Sequence, residues 1–290
     1  MRGRSVNPTA TARFSPSRLG RFSPLYLKTA LKDFSSNRDL LWNFVVRDFK
    51  SRYAGSLMGI FWNVIHPLTL IVIYILVFSR LMGARLPGTS DTYSYGIYLC
   101  AGLLPWNAFA EAVSRSTTVF IDQAHLLKKV SFPKKLVGGA IVLSSLINFL
   151  IGYSIFFLFL TFTGHRIGLA SLSLPGLLIL QSVFAFGLGL LLSTLNVFFR
   201  DIAQLTGVVL QFWFWLTPIV YLEEVLPKLA RDVIYLNPMY YFVRGYQTVV
   251  MNDVVPPIWM LGTAGVFSLV ALIGGSIVFF RLKDDIVDEV

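Results

Sequence analysis

Six long apolar segments dominate the pattern of hydrophobic and polar positions along this chain of 290 residues. A helix needs about 20 mainly apolar residues to span a bilayer, because lipid offers no hydrogen-bond partner to exposed backbone groups. Segments of about that length or longer are found at 57–78, 95–120, 137–162, 174–199, 203–221 and 257–280. The pattern therefore predicts an all-α membrane protein with six transmembrane helices.

The segment 36–56, just before the first of these spans, has the periodicity of an amphipathic helix. Its apolar residues fall on one helical face, and Arg47 and Lys50 lie on the opposite face. The apolar face consists of Leu41, Trp42, Val45, Val46, Phe49 and Tyr53. A basic polar face opposite an aromatic apolar face is typical of a helix that lies in the membrane interface. A cytosolic helix packed on a partner protein is the alternative.

The connection 222–256, between the fifth and sixth spans, is too apolar for a free loop. Its apolar stretches are interrupted by Pro227 and Pro238, which favour two short helices. If these helices dip into the membrane, their irregular backbone has to pack on protein or line a water-filled cavity. The segment is therefore predicted to hold re-entrant helices before the last span. A surface hairpin without a gating role is the alternative.

Composition and charge support a membrane protein and give it an orientation. The chain is 55% hydrophobic and 14% charged, whereas about 25% of residues are charged in a typical soluble domain. With the N-terminus inside, 18 of the 25 Lys and Arg residues lie in inner segments, 6 lie in outer segments, and Arg115 lies within a span. Both termini are thus predicted to be cytoplasmic. Because topology accounts for the net charge of +10, no nucleic-acid partner is needed.

The two ends of the chain are predicted to be tails. Residues 1–35 combine seven Lys or Arg residues with several Ser and Pro residues. This composition favours a disordered basic tail that contacts anionic lipid headgroups. Residues 281–290 are predicted to form a short cytoplasmic C-terminal tail.

The sequence offers little for catalysis. Its three His residues lie in three different segments, its one Cys lies in an apolar run, and the phosphate-binding pattern G-x-x-x-x-G-K-[ST] is absent. The chain is therefore expected not to be an enzyme and to bind no metal or cofactor, so ATP and Mg²⁺ would be held by a separate polypeptide. A membrane-embedded glycan transferase would need convergent acidic or His groups. An ion-coupled transporter would show inverted repeats. Neither the convergent groups nor the inverted repeats are evident in the sequence.

Two charged residues interrupt the second apolar segment. Glu111 and Arg115 are four residues apart with the acid first, which is the favourable order for an ion pair on a helix. Intramembrane charges are costly and usually face the interior of a helix bundle. The spacing predicts an intramembrane ion pair, with a structural role or a role beside a transport pathway.

The cytoplasmic connection after the second span is predicted to form a docking element over 123–133. A short helix ends at a Ser-Phe-Pro break, and Leu126, Leu127 and Phe132 are surrounded by four lysines. Apolar side chains exposed among positive charges favour contact with a partner protein. A purely topological anchor is the alternative.

Several short motifs, in this order and at these positions relative to six spans, are similar to one known family. They are RYAGSLMG at 52–59, GLLPW at 102–106, EAVSRS at 111–116, LKKVSFP at 127–133, NVFFRD at 196–201, LTPIVY at 216–221 and NPM at 237–239. On these motifs the chain resembles, over about 36–285, the membrane subunits of ABC-2 type exporters that move polysaccharides on lipid carriers. The tail 1–35 falls outside the resemblance.

The resemblance implies a transport complex. Two copies of the chain would pair with two copies of a separate ATPase, whose cleft would receive the coupling residues Leu126, Leu127, Lys128, Lys129, Phe132 and Pro133. Beside the interface helix it implies a cytoplasmic gate, for which the candidates are Trp42, Phe49, Arg52 and Tyr53. The segment 222–256 would supply outer gating helices to the six-helix domain 57–280.

The implied function is export of a lipid-linked polysaccharide across the bacterial cytoplasmic membrane, with the O-antigen of lipopolysaccharide as the first candidate. Capsular polysaccharide, teichoic acid, or a small lipid or drug are the alternatives. Aromatic rings can stack on the apolar faces of sugars, so candidates for a substrate pathway are Trp62, Tyr74, Phe212, Trp215 and Tyr241. Ordinary packing or lipid contact is the alternative for each of them.

Overall fold

The computed structural model describes residues 36–52, 55–83, 86, 92–129, 133–165 and 167–290. These residues are mostly helical and include no β-strand, which confirms the predicted all-α fold over the described chain. The helices are, in chain order, α1 (Arg38–Arg52), α2 (Trp62–Ile75), α3 (Ser94–Asp122), α4 (Ala124–Lys129), α5 (Lys135–Phe162), α6 (Leu174–Phe198), α7 (Asp201–Trp215), α8 (Lys228–Ile234), α9 (Pro238–Asn252), α10 (Ile258–Leu282) and α11 (Ile286–Glu289). A π-helical stretch, Leu76–Leu81, extends α2, and a 3-10 turn, Leu169–Ser173, precedes α6. The predicted tail 1–35 lies outside the described residues.

Four helical segments of the described chain are long and apolar enough to cross a membrane. They are Trp62–Leu81, Lys135–Phe162, Leu169–Phe198 and Ile258–Leu282. Two of the six predicted spans fall outside this group. The second lies in α3, which has 29 residues but contains Glu111 and Arg115, and the fifth lies in α7, which has 15 residues. The described chain is therefore a multi-pass membrane protein with four candidate spans by length and composition.

Local backbone chemistry explains where the predicted spans and the observed helices differ. α2 begins at Trp62 rather than at residue 57, because Gly55 and Gly59 take positive φ angles that interrupt the helical path after α1. α7 ends at Trp215, shortly before Pro218. Proline cannot donate a helical hydrogen bond, and it disfavours the helical conformation in the residue that precedes it. The predicted span 203–221 is therefore a shorter helix followed by a turn.

The connection 222–256 contains two helices, α8 and α9, as its proline spacing predicts. The Asn237 side chain caps α9 by accepting a hydrogen bond from the Met239 N–H over 2.9 Å. At the other end of α9, Asp253 takes a left-handed conformation with a φ of 50°. α9 is mostly buried, and it packs against α3, α6 and α10 in the protein interior.

α6 and α10 approach each other more closely than side chains would allow. At Gly187 of α6, an added Cβ would lie 2.4 Å from the backbone carbonyl carbon of Ala271. At Gly275 of α10, an added Cβ would lie 2.1 Å from the carbonyl oxygen of Gly187. Small residues at a helix crossing let two membrane helices pack backbone against backbone. This contact fixes the crossing of α6 and α10.

We expect Gly187→Ala to destabilise the protein, because the new methyl group would have to displace backbone rather than a flexible side chain. Overpacking of this kind typically costs about 1–3 kcal/mol, which would lower the thermal midpoint of the purified protein by several degrees. Gly274→Ala is the matched control, since nothing lies within 4 Å of a Cβ at Gly274. Equal midpoints for the two variants would contradict the close contact.

Candidate functional site

Charged side chains from α1 and α3 meet in one cluster, which Ser144 of α5 completes. Arg52 Nη1 lies 2.5 Å from Glu111 Oε1, and Arg52 Nε lies 3.2 Å from Asp48 Oδ2. Arg115 pairs with Asp48, and its Nη1 lies 3.5 Å from Glu111 Oε1. Ser144 Oγ donates to Asp48 Oδ2 over 2.5 Å and accepts from Arg52 over 3.0 Å. We refer to Asp48, Arg52, Glu111, Arg115 and Ser144 as the charge cluster.

The charge cluster is electrically balanced and largely shielded. Two carboxylates face two guanidinium groups, and the four side chains are between 11% and 30% exposed. Each helix contributes an acid and a base four residues apart, so α1 and α3 present matched pairs to each other. Removal of one partner from a buried ion pair costs about 3–5 kcal/mol, because the other charge remains uncompensated. The cluster therefore fastens α1 to α3 and α5.

The face of α1 that packs inward is the predicted apolar face, except that Trp42 at its edge is turned outward. Val45 is 1% exposed, but Trp42 is 56% exposed. Asp48, one turn beyond Val45, lies on the buried face with its charge paired. Among the gate candidates, Phe49 and Arg52 contact each other, with the guanidinium carbon 5.5 Å from the ring centroid. Tyr53 lies outside the described residues.

The surroundings of Asp48 shift the pKa of its carboxyl group. Its burial favours the neutral acid, but hydrogen bonds from Arg115 and Ser144, with the positive charges of Arg115 and Arg52, outweigh that effect. The pKa of Asp48 therefore lies below its ordinary value of 3.8. A lowered folded-state pKa stabilises the folded protein above the unfolded pKa and loses this effect as the pH falls through the folded value.

This shift predicts how the charge cluster responds to acid. We expect the difference in thermal midpoint between the wild type and Asp48→Asn to stay constant at neutral and weakly acidic pH. Below pH 3.8 the difference should shrink, because the wild-type carboxyl takes up a proton and loses its advantage. Differential scanning fluorimetry of both proteins across pH measures this. A difference that already varied around neutral pH would show that another group controls the cluster.

α4 continues the chain directly beyond α3, on the side of the charge cluster. The coupling candidates Leu126, Leu127, Lys128 and Lys129 belong to α4, Pro133 follows it, and Phe132 lies outside the described residues. Lys128 is exposed. Arg47 of α1 donates a hydrogen bond to Gln123 Oε1, at the junction of α3 and α4, over 2.5 Å. α1 is thus joined both to α3 and to the start of α4.

A cavity of about 130 Å³ lies between α2, α3 and α5, next to the charge cluster. Its polar and aromatic lining includes Trp62, Asn63, His66, Asn107, Glu111 and Asn148. Glu111 therefore belongs both to the cluster and to the cavity wall. Over the described residues, no group of three His, Cys, Asp or Glu side chains is placed to hold a metal ion.

The five aromatic pathway candidates occupy different surroundings in the single chain. Trp62 lines the cavity, and Tyr74 stacks on Phe78 with a centroid distance of 6.0 Å. Phe212 and Trp215 are exposed on α7, and Tyr241 is buried. The structure does not bring the five together within one protomer.

The motifs LTPIVY at 216–221 and NPM at 237–239 are distant in sequence but meet in the fold. Asn237 accepts a hydrogen bond from Trp213 Nε1 over 2.6 Å and donates one to Thr217 Oγ1 over 2.9 Å. The hydroxyl of Tyr98 donates to the carbonyl oxygens of Pro218 and Tyr221. The turn after α7 is therefore tied to the start of α9 and to α3, an arrangement that sequence reasoning did not foresee.

Comparison with known proteins places these features in a family context. The family model described as "ABC-2 type transporter" matches residues 39–251. An O-antigen export system permease protein RfbA of Klebsiella pneumoniae is 31% identical over 217 residues, which cover 74% of this chain and 82% of the relative. A protein of the same description from Myxococcus xanthus is 26% identical over 262 residues, which cover 90% and 98%. The matched region contains the whole charge cluster.

Proposed function

The chain belongs to the ABC-2 type transporter family, and we propose that it is the permease subunit of an ATP-driven exporter of lipid-linked polysaccharide. The observation that carries this proposal is the similarity to O-antigen export permeases over most of both chains. O-antigen is therefore the first candidate for the substrate. The location would be the bacterial cytoplasmic membrane, with both termini inside.

The proposed arrangement has six crossings. α3 has 29 residues, which at 1.5 Å per residue gives about 44 Å, more than the hydrocarbon core of about 30 Å. Its charges face α1 and α5, where they are paired. α7 alone is too short to cross the core, so the turn after it, with α8 and α9, would complete the fifth crossing as re-entrant helices. The connection 222–256 would then close the outer end of the pathway.

The energy source is proposed to be a separate ATPase subunit, two copies of which would pair with two copies of this chain. The sequence lacks the phosphate-binding loop that such an ATPase uses. α4 would dock in the ATPase as the coupling helix, with 130–133 completing the contact. Through Arg47 and the charge cluster, movement of α4 and α3 would reach α1, which would gate the cytoplasmic entrance.

Depletion of this protein tests the substrate. We expect lipid-linked O-antigen to accumulate on the cytoplasmic side, while the surface loses polymer. Purification of the tagged protein should bring down an ATPase with a phosphate-binding loop. Accumulation of capsule or teichoic acid precursors instead would identify a different polymer as the substrate and would leave the proposed mechanism unchanged. An intact surface polymer together with altered drug or lipid efflux would reject polysaccharide export.

A further inference from the structure

The cavity between α2, α3 and α5 carries a polar lining that the packing of the helices does not require. Three of its residues have amide side chains: Asn63, Asn107 and Asn148. The Oδ1 atom of Asn148 is buried and accepts no hydrogen bond from the described residues. Buried polar groups without a partner are rare in folded proteins. A small rotation of this amide into the cavity would let it bind a hydroxyl group, which can both donate and accept a hydrogen bond.

The charge of the cavity restricts the class of ligand. Among its lining residues there is no Lys or Arg. The negative charge of Glu111 is balanced by Arg52, 2.5 Å away, and by Arg115. A phosphate would therefore meet a carboxylate in a wall where, among the described lining residues, His66 is the one basic side chain, which disfavours anion binding. The lining suits a neutral ligand with several hydroxyl groups.

The volume of the cavity suits one sugar ring rather than a chain of sugars. Its volume of about 130 Å³ lies below the range of about 300–1,000 Å³ typical of sites for drug-sized ligands. Trp62, which is 42% exposed, lines it from α2. Its indole ring offers an apolar face to the C–H side of a sugar, while the amides and Glu111 can bind the hydroxyl groups.

We propose that this cavity binds one neutral sugar unit of the exported glycan, with Asn107, Asn148 and Glu111 as hydrogen-bonding residues and Trp62 as the stacking residue. This inference rests on the proposed function for the identity of the glycan. It adds a recognition subsite inside a single protomer, next to the charge cluster that holds α1. Occupation of the cavity would place a sugar against Glu111.

Cysteine protection in the purified full-length protein tests the subsite. The native Cys100 is replaced by Ser, and Ala108→Cys places a reporter thiol in the cavity wall. Methyl glycosides of neutral hexoses serve as probes, and pyrophosphate serves as the anionic competitor. We expect maleimide labelling to slow about tenfold once an effective sugar is present at roughly ten times its dissociation constant. Pyrophosphate should have no effect.

Matched variants separate sugar binding from general effects. Ser114→Cys, which is exposed on α3 and lies outside the lining, should be labelled at the same rate with and without sugar. Asn148→Leu should remove the protection of the Ala108→Cys reporter without lowering the thermal midpoint. If Asn148→Leu fails to fold, Asn107→Leu takes its place.

Each other outcome overturns the inference. Lack of protection by any neutral sugar would reject the site, and equal protection by pyrophosphate would replace it with an anion site. Protection that survives loss of the amide would show that the sugar binds elsewhere. Since the assay needs neither ATPase nor export, its failure leaves polysaccharide export standing. If the cavity binds sugar but depletion of the protein leaves the surface polymer unchanged, polysaccharide export is rejected and the sugar site is retained.

Discussion

Asp48→Ala is expected to reduce polymer export by more than tenfold, although the substitution lies outside every candidate span. It would leave Arg52 and Arg115 facing the single carboxylate of Glu111, with an excess positive charge in a shielded site. Loss of one partner from such a pair costs about 3–5 kcal/mol, and α1 would be released from α3 and α5. Export is measured by labelling surface polymer, and release of α1 is measured by trypsin cleavage at Arg47 and Lys50.

Two further variants make this prediction specific. Asp39→Ala removes a carboxyl from the same helix, but the Asp39 side chain is 93% exposed, so export and trypsin resistance should remain at wild-type levels. The double variant Asp48→Arg with Arg115→Asp restores opposite charges at the central pair and should recover part of the export. Wild-type export by Asp48→Ala would show that the charge cluster does not hold α1 in the working complex.

Replacing both Leu127 and Phe132 with Asp is expected to reduce export to background. The proposed coupling helix would then present two negative charges where it is expected to bury apolar side chains in the ATPase. Desolvating an unpaired charge at an interface is costly, so the ATPase should no longer co-purify. Because both positions lie in the connection between α3 and α5, outside the candidate spans, the thermal midpoint of the permease should not change.

A conservative pair provides the comparison for this second experiment. Leu127→Met with Phe132→Leu keeps both side chains apolar and close in size, so binding of the ATPase should be retained. Surface polymer and ATPase recovery are measured together for both double variants. Normal export by the Asp pair would reject the coupling assignment, and a permease that no longer folds would show that these residues support the membrane domain instead.

Helices could be predicted wherever the sequence has a long apolar run, because few other backbone structures satisfy their hydrogen bonds in a membrane. The sequence gives weaker information about where such helices begin and end. The start of α2 depends on positive φ angles at Gly55 and Gly59, and the end of α7 on Pro218. These local effects could have been weighed from the sequence, and they shorten two of the predicted spans.

The charge cluster was only half predictable. Glu111 and Arg115 stand out because charge is rare in an apolar run, and their spacing predicts contact within one helix. Asp48 gave a fainter signal, since it precedes Arg52 by four residues beside the apolar face of α1. Ser144 gave none, because a serine in a membrane helix usually bonds to its own backbone. Only tertiary packing brings it within 2.5 Å of Asp48.

The glycine contact between α6 and α10 has a practical consequence for studies of motion. Helices whose backbones touch at Gly187 and Gly275 cannot slide or rotate without a clash, so they should travel as one body through the transport cycle. Spin labels placed at Gly176 of α6 and Gly262 of α10, where an added side chain meets nothing within 4 Å, would give a constant separation. The distance between these two labels then serves as a fixed reference for measuring any displacement of α1.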